Sequence, residues 1–215
     1  MLTENPPLSR REGMILCNPT TAALAGWLLL GNVVQERTFT IIPHLSQATY
    51  AVDEVFLNEN NRLFTAVGLT RQVTGTIQLD PARPDQSRVA EVVVDLRQLT
   101  TDNVRRDRAV RDGYLHTDRF PQALLTDGRL SETPVPIPEG QSFHYRLVAN
   151  LTVHGVSRET TWQGEATVKA DTLRGVARTR IRMSTFGIEV PRLLTLRSED
   201  DVQLEIRYVA SASPP

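Results

Sequence analysis

The run LVANLTVH, Leu147–His154, places Leu147, Ala149, Leu151 and Val153 on one side and Val148, Asn150, Thr152 and His154 on the other. Successive side chains of an extended chain point to opposite faces, so this period of two predicts a strand with one buried face. The strand reads from Phe143 to Val153, and the same pattern recurs in both directions from it. Downstream, Thr160–Val168 is β-branched in flavour, and Arg174–Met183 sets Ala177, Thr179, Ile181 and Met183 against an arginine row at 178, 180 and 182. Val202–Val209 sets Val202, Leu204, Ile206 and Tyr208 against Gln203, Glu205 and Arg207. Upstream, Arg88–Leu96 places Val92, Val94 and Leu96 together, and Arg71–Asp80 does the same for Val73, Gly75, Ile77 and Leu79. Ser46–Phe56 carries Ala48, Tyr50 and Val52 on one face. The breaks between strands are turn-like: PARPD at 81–85, and TPVPIPEG at 133–140, whose three prolines predict an exposed loop.

One stretch lacks this alternation. TDNVRRDRAVRDGYLHT, Thr101–Thr117, is rich in Arg and Asp. It predicts a short helix capped by Thr101, anchored by Val104, Val110 and Leu115, with Asp107, Arg108, Arg111 and Asp112 as a solvated face. Many antiparallel strands with a single helical excursion predict an all-β fold, an eight-stranded antiparallel barrel with one short helix in mid-chain, since closure removes unpaired strand edges. The arginine row should face solvent and pair across strands, with Glu205 or other acids.

The alternation also names the wall. Tyr50, Val52, Ile77, Val94, Leu147, Leu151, Ile181, Leu204 and Ile206 should line the interior. Small inward residues, namely Ala48, Gly75, Ala149, Ala177 and Thr179, would leave room for a ligand; a filled core is the alternative reading of the same pattern.

Composition narrows the function classes. The 215 residues are 40% hydrophobic and 23% charged, as in ordinary globular proteins, and the formal net charge of -1 argues against nucleic acid as a partner. Cys17 is the single cysteine, so no internal disulfide can form. The four histidines (44, 116, 144 and 154) lack metal-ligand spacing, and no nucleophile elbow, zincin motif or phosphate loop is present. No catalytic residue and no metal site is therefore expected. His44 and Ser46 lie close in sequence, His154 reads as a turn residue, His116 as a candidate for a helix end or a ligand head group, and Trp162 as core or rim.

Residues 1–37 form a separate extension. Arg10 and Arg11 precede Met14–Val34, which has no charged residue and an apolar centre at Ala22–Leu30. This order suits an export signal or a membrane anchor, although Asn18, Pro19, Thr20 and Thr21 interrupt it; a helix packed on the barrel is the competing reading. The barrel is expected over residues 38–210, with a disordered tail at 211–215.

Five segments in order resemble the YceI-like family of lipid-binding proteins: FTIIPHLSQATYAV (39–52), TGTIQLD (74–80), VVVDLRQLTTDNVRRDRAVRDGYLHTDRFPQALL (92–125), NLTVHGVSRETTW (150–162) and MSTFGIEV (183–190). The resemblance implies a lipocalin-like barrel whose axial pocket holds a polyisoprenoid chain, such as an isoprenoid quinone or prenyl phosphate. Many members of that family are secreted to the periplasm; together with the N-terminal segment this makes an exported, periplasmic or membrane-anchored protein the expectation, with a cytoplasmic one as the alternative, and a homodimer is left open. The family's aspartate before Phe-Gly-Ile is Thr185 here. The leading expectation is a lipid carrier or store without a catalytic cofactor. A packed barrel acting as a membrane-associated interaction module comes second, and a hydrolase or isomerase acting on a bound lipid third.

Overall fold

A computed structural model describes residues 36–57, 60–192 and 194–212. Ten strands follow in chain order: β1 (Arg37–Ile41), β2 (Gln47–Phe56), β3 (Arg62–Thr70), β4 (Val73–Leu79), β5 (Arg88–Asp95), β6 (Gln122–Ser131), β7 (Ser142–Val153), β8 (Val156–Lys169), β9 (Thr172–Arg182) and β10 (Leu196–Ala212). They form eight staves. A 3-10 turn at Pro43–Leu45 divides β1 from β2, and both lie against the long β10. β3 and β4 are likewise two parts of one hairpin arm, β3 paired with β2 and β4 with β1. The remaining staves pair antiparallel in sequence order from β4 to β10, and the β1–β10 pairing closes the barrel. Phe39, on the closing strand, is fully buried.

The predicted strands are present, most of them longer than their patterns. Of the three further ones, β1 begins the segment that carries the family resemblance, and β3 and β6 carry weak signals. β3 reverses the usual polarity, burying Ala66 and Thr70 while leaving Leu63 75% and Val67 48% exposed. β6 contains a register shift between Thr126 and Arg129, with Asp127 at φ 56°, so its TDG reads as a turn although it is a bulge within the strand. β10 continues two residues past the boundary drawn from the sequence, Ser211 and Ala212 pairing with Thr40 and Phe39. Residues 1–35, which carry nearly all of the extension, and 213–215 lie outside the described residues. Among the described residues, no helix is long and apolar enough to cross a membrane.

The mid-chain excursion is α1 (Val104–Arg108), continued by a wider turn over Ala109–Tyr114. Its cap is Asn103, not Thr101: the Asn103 side chain accepts from the amides of Arg105 and Arg106. Thr101 is engaged elsewhere, its amide and hydroxyl both donating to Asp107 Oδ1 at 2.6 Å. Asp107 is consequently buried rather than solvated, and Val104, expected as an anchor, is 74% exposed. The proline-rich loop is also not wholly exposed. Ile137 is buried, and its amide donates to the carbonyl of Pro81 at 2.8 Å.

The β7–β8 hairpin turns on His154 and Gly155, at φ 53° and 74°, the pair of positive φ values that a two-residue turn matched to strand twist requires. Arg178 lies directly opposite Glu205 and donates to it at 2.6 Å, so at least this member of the arginine row is paired across strands.

Candidate functional site

The inward faces do not fill the barrel. A cavity of about 180 Å³ occupies the end where β2 and β9 finish and β10 begins, and α1 with its continuation packs over that end. Its wall is built by alternation: Tyr50 and Val52 from β2, Val94 from β5, Leu151 and Val153 from β7, Trp162 from β8, and Val202, Leu204 and Ile206 from β10. Val110, Tyr114 and Leu115 roof it from the helical segment, and Ile188 and Pro191 from the segment after β9. A second cavity of about 40 Å³ lies deeper, lined by Ile77, Leu147, Ala177, Tyr145 and Tyr208 among others. Ile206 borders both.

All nine wall residues expected from the sequence therefore border one of these spaces. Tyr50, Val52, Val94, Leu151, Ile181 and Leu204 face the larger one, Ile77 and Leu147 the smaller, and Ile206 both. The small residues act less uniformly. Ala48 borders the larger cavity and Ala177 the smaller, but Gly75 serves strand packing: at φ 149°, a Cβ there would overlap the carbonyl of Glu91. Ala149 is buried, and the Thr179 hydroxyl donates to the carbonyl of Thr161.

A polar group stands at the helix end of the apolar space, and the strand pattern alone did not reveal it. Glu54 continues the inward series of Tyr50 and Val52 and is 6% exposed. Its Oε2 has no hydrogen-bond partner and lies 3.6 Å from the Arg106 guanidinium; its Oε1 accepts from Ser198 at 3.5 Å. Burial pushes the Glu54 carboxyl above its ordinary range, and Arg106 offsets this only in part. The Tyr50 hydroxyl is also buried without a partner, and burial pushes its pKa up to about 12. Arg106 reaches this group from α1, its guanidinium over the Phe64 ring, and is shared with Asp102. The missed signal was a glutamate at an inward position one turn of alternation beyond Val52.

The smaller cavity carries a tyrosine pair in its lining. The Tyr145 and Tyr208 hydroxyls lie 3.2 Å apart, and Tyr145 also donates to the carbonyl of Val176 at 3.3 Å. Burial raises both phenols, Tyr145 well above its usual value and Tyr208 to about 12.

Two of the histidines meet, but away from the cavity wall. His116 stacks on His154 with ring centroids 5.4 Å apart, and Phe120 packs edge-on against His154. The His116 Nδ1 lies 3.0 Å from the carbonyl of Asp112, so it serves the turn rather than the cavity wall. Ser46 is buried away from His44, its hydroxyl donating to the carbonyl of Ile42 and accepting from the Val209 amide where β1 passes into β2. Among the described residues, no three His, Cys, Asp or Glu side chains are grouped to hold a metal. Trp162 is 1% exposed, with its indole donating to Thr160, and it belongs to the cavity wall.

The YceI-like domain pattern matches residues 39–210, all but the outermost residues of the barrel. The chain belongs to the YceI-like family. No curated protein sequence matches it. Several solved structures share the fold. Burkholderia cenocepacia BcnA superposes with a TM-score of 0.60 at 16% identity, covering 80% of this chain and 99% of that one. A polyisoprenoid-binding domain from Saccharophagus degradans, implicated in plant cell wall breakdown, gives 0.58 at 15% identity, covering 81% and 98%. The Campylobacter jejuni YceI protein gives 0.52 at 18% identity, covering 69% and 85%. Within this YceI-like barrel, Thr185 donates to the carbonyl of Arg182, and the carboxylate serving that turn is Asp200, which accepts from the amide and hydroxyl of Ser184.

Proposed function

We propose that this YceI-like barrel binds a lipid, an apolar chain of isoprenoid type, with its tail in the larger cavity and its polar end toward α1. The observation that carries this reading is the cavity of about 180 Å³ with an almost wholly hydrocarbon wall. An apolar void of roughly 150 Å³ already stays dry and takes up an apolar guest. Each CH₂ moved from water into such a space contributes about 0.8 kcal/mol, so a few prenyl units supply a useful affinity without polar contacts. Family membership supports the reading, as does the description of the Saccharophagus degradans neighbour as a polyisoprenoid-binding domain.

The dimensions also constrain the ligand. Drug-sized pockets run to roughly 300 Å³ and more, so a long polyprenyl chain requires side chains between the two cavities to move. The reading therefore favours a chain that ends at Ile206 in the resting barrel. Carriage or storage is the function proposed, with no catalytic step. Export or anchoring through residues 1–37 belongs to the same proposal, and cell fractionation tests it.

Organic extraction of protein purified from its native source, followed by mass spectrometry, should return one lipid class in near-stoichiometric amount. Recovery of no lipid, together with no uptake of added prenyl compounds, would overturn the reading in favour of a packed interaction module.

A further inference from the structure

Two buried polar atoms of cavity-lining residues, the Tyr50 hydroxyl and Glu54 Oε2, have no hydrogen-bond partner. Native proteins rarely leave such groups without a hydrogen bond, because the water each loses is not replaced; for Glu54 Oε2 the Arg106 guanidinium at 3.6 Å replaces it only in part. They stand together: Tyr50 and Glu54 are two inward positions apart on β2, and the same guanidinium, Arg106, acts on both. We infer that Tyr50, Glu54 and Arg106 form a head-group site for a neutral polar end that both donates and accepts a hydrogen bond, such as an alcohol, and that this site discriminates against phosphate and carboxylate ends. The inference rests on the reading of the cavity as a lipid site.

The donor and acceptor inventory fits a hydroxyl head. Its proton can go to Glu54 Oε2, and its oxygen can accept from the Tyr50 hydroxyl or from Arg106. The charge balance argues against an anion. The charged groups acting on the Tyr50 hydroxyl are Arg106 on one side and Glu54, Asp107 and Asp102 on the other. Arg106 is already held by Asp102 and Glu54, so it is not a spare cation. Of the nearby cations, Arg111 is turned to the carbonyl of Leu99. A phosphate placed here would meet acids that outnumber the available guanidinium, in a space where burial strengthens the repulsion. Burial raises the Glu54 carboxyl although Arg106 lies beside it, so the one guanidinium does not fully balance even the acid already there.

The test uses the full chain carrying Trp27→Phe, so that Trp162 in the cavity wall is the sole indole reporter. Three probes share one prenyl chain: farnesol, farnesyl phosphate and the hydrocarbon farnesene. Farnesol should bind about tenfold or more tightly than farnesyl phosphate. Tyr50→Phe should weaken farnesol by roughly two- to tenfold, the worth of one hydrogen bond, and leave farnesene unchanged. Glu54→Gln, which keeps the shape and removes the charge, should narrow the gap between alcohol and phosphate. Equal or tighter binding of farnesyl phosphate to the unsubstituted cavity would overturn the inference, as would an equal loss of farnesol and farnesene in Tyr50→Phe. If none of the three probes moves Trp162 fluorescence, the lipid-site reading itself fails, which is a different outcome.

Discussion

The ring of Tyr145 occupies the space that a side chain at Gly164 would need. The two residues are direct cross-strand partners on β7 and β8, and a Cβ built on Gly164 would overlap the phenol ring. The arrangement recurs at Tyr50 over Gly68 and Tyr208 over Gly175, also direct partners, so three aromatic rings cover three glycines along the inner wall. Gly164→Ala is expected to displace Tyr145 and cost about 1–3 kcal/mol in stability. Gly113→Ala, where a Cβ meets nothing within 4 Å, should be neutral or slightly stabilising. Denaturant unfolding of the two variants checks both expectations.

The tyrosines should separate under hydroxyl deletion. Tyr145 loses contacts to Tyr208 and Val176 when replaced by Phe, so Tyr145→Phe should cost about 0.5–1.5 kcal/mol. The Tyr50 hydroxyl has no partner to lose, so Tyr50→Phe should be neutral or stabilising in the unliganded protein. Thermal unfolding after delipidation decides it; an equal loss at both positions would mean that Tyr50 is hydrogen-bonded in solution.

The contrast between wall and head group shows what was legible in the sequence. Strands that keep strict alternation, such as β7 and β10, announced their inward faces, and with them the nine wall residues. β3 was silent because its outward face carries Leu63 and Val67, which inverts the hydrophobic signal, and β6 because its bulge mimics a turn. Glu54 was overlooked for a related reason: a charged residue at an inward position looks like the end of a strand, and only the approach of Arg106 from α1 explains it. Asp107 was misplaced because local spacing cannot show that Thr101 folds back onto it.

Glu54 gives stability a pH dependence of unusual sign. Burial raises its carboxyl above the ordinary 4.5 in the folded state, with Ser198 and Arg106 pulling it down and Asp102 pushing it up. The folded protein therefore holds this proton more tightly than the unfolded chain. The contribution of the neutral carboxyl is fully present below the unfolded value and is lost as pH rises through the raised folded value. Glu54→Gln removes that loss, so the variant should gain stability relative to the parent as pH rises from 4 to neutrality. Urea midpoints across that range measure the difference, and a pH-independent gap would contradict it.

Burial of Asp107 makes it the structural acid of the helical segment. Asp107→Ala would strand the Thr101 amide and hydroxyl and should cost about 1–3 kcal/mol. Asp112, which is exposed, should tolerate the same change within about 0.5 kcal/mol. If Asp107 were only part of a solvated face, unfolding would not distinguish the two variants.

Ile206 divides the larger cavity from the smaller, since its side chain borders both. Ile206→Ala should join them into one axial space, at a cost of about 2–5 kcal/mol from lost contacts and the void created. The functional consequence follows from apolar area: in the parent, affinity for prenyl alcohols should stop rising once the chain reaches Ile206, because further units find no space. In the variant the rise should continue by at least one unit, each added CH₂ gaining up to about 0.8 kcal/mol, until the chain meets Tyr145 and Tyr208. Ile206→Val, which trims less, should shift the plateau less. A length series of prenols titrated against both variants reads this directly. An unchanged plateau in a folded Ile206→Ala would place the limit at Leu147 and Trp162 instead, which are cross-strand partners and border the smaller and larger cavity respectively.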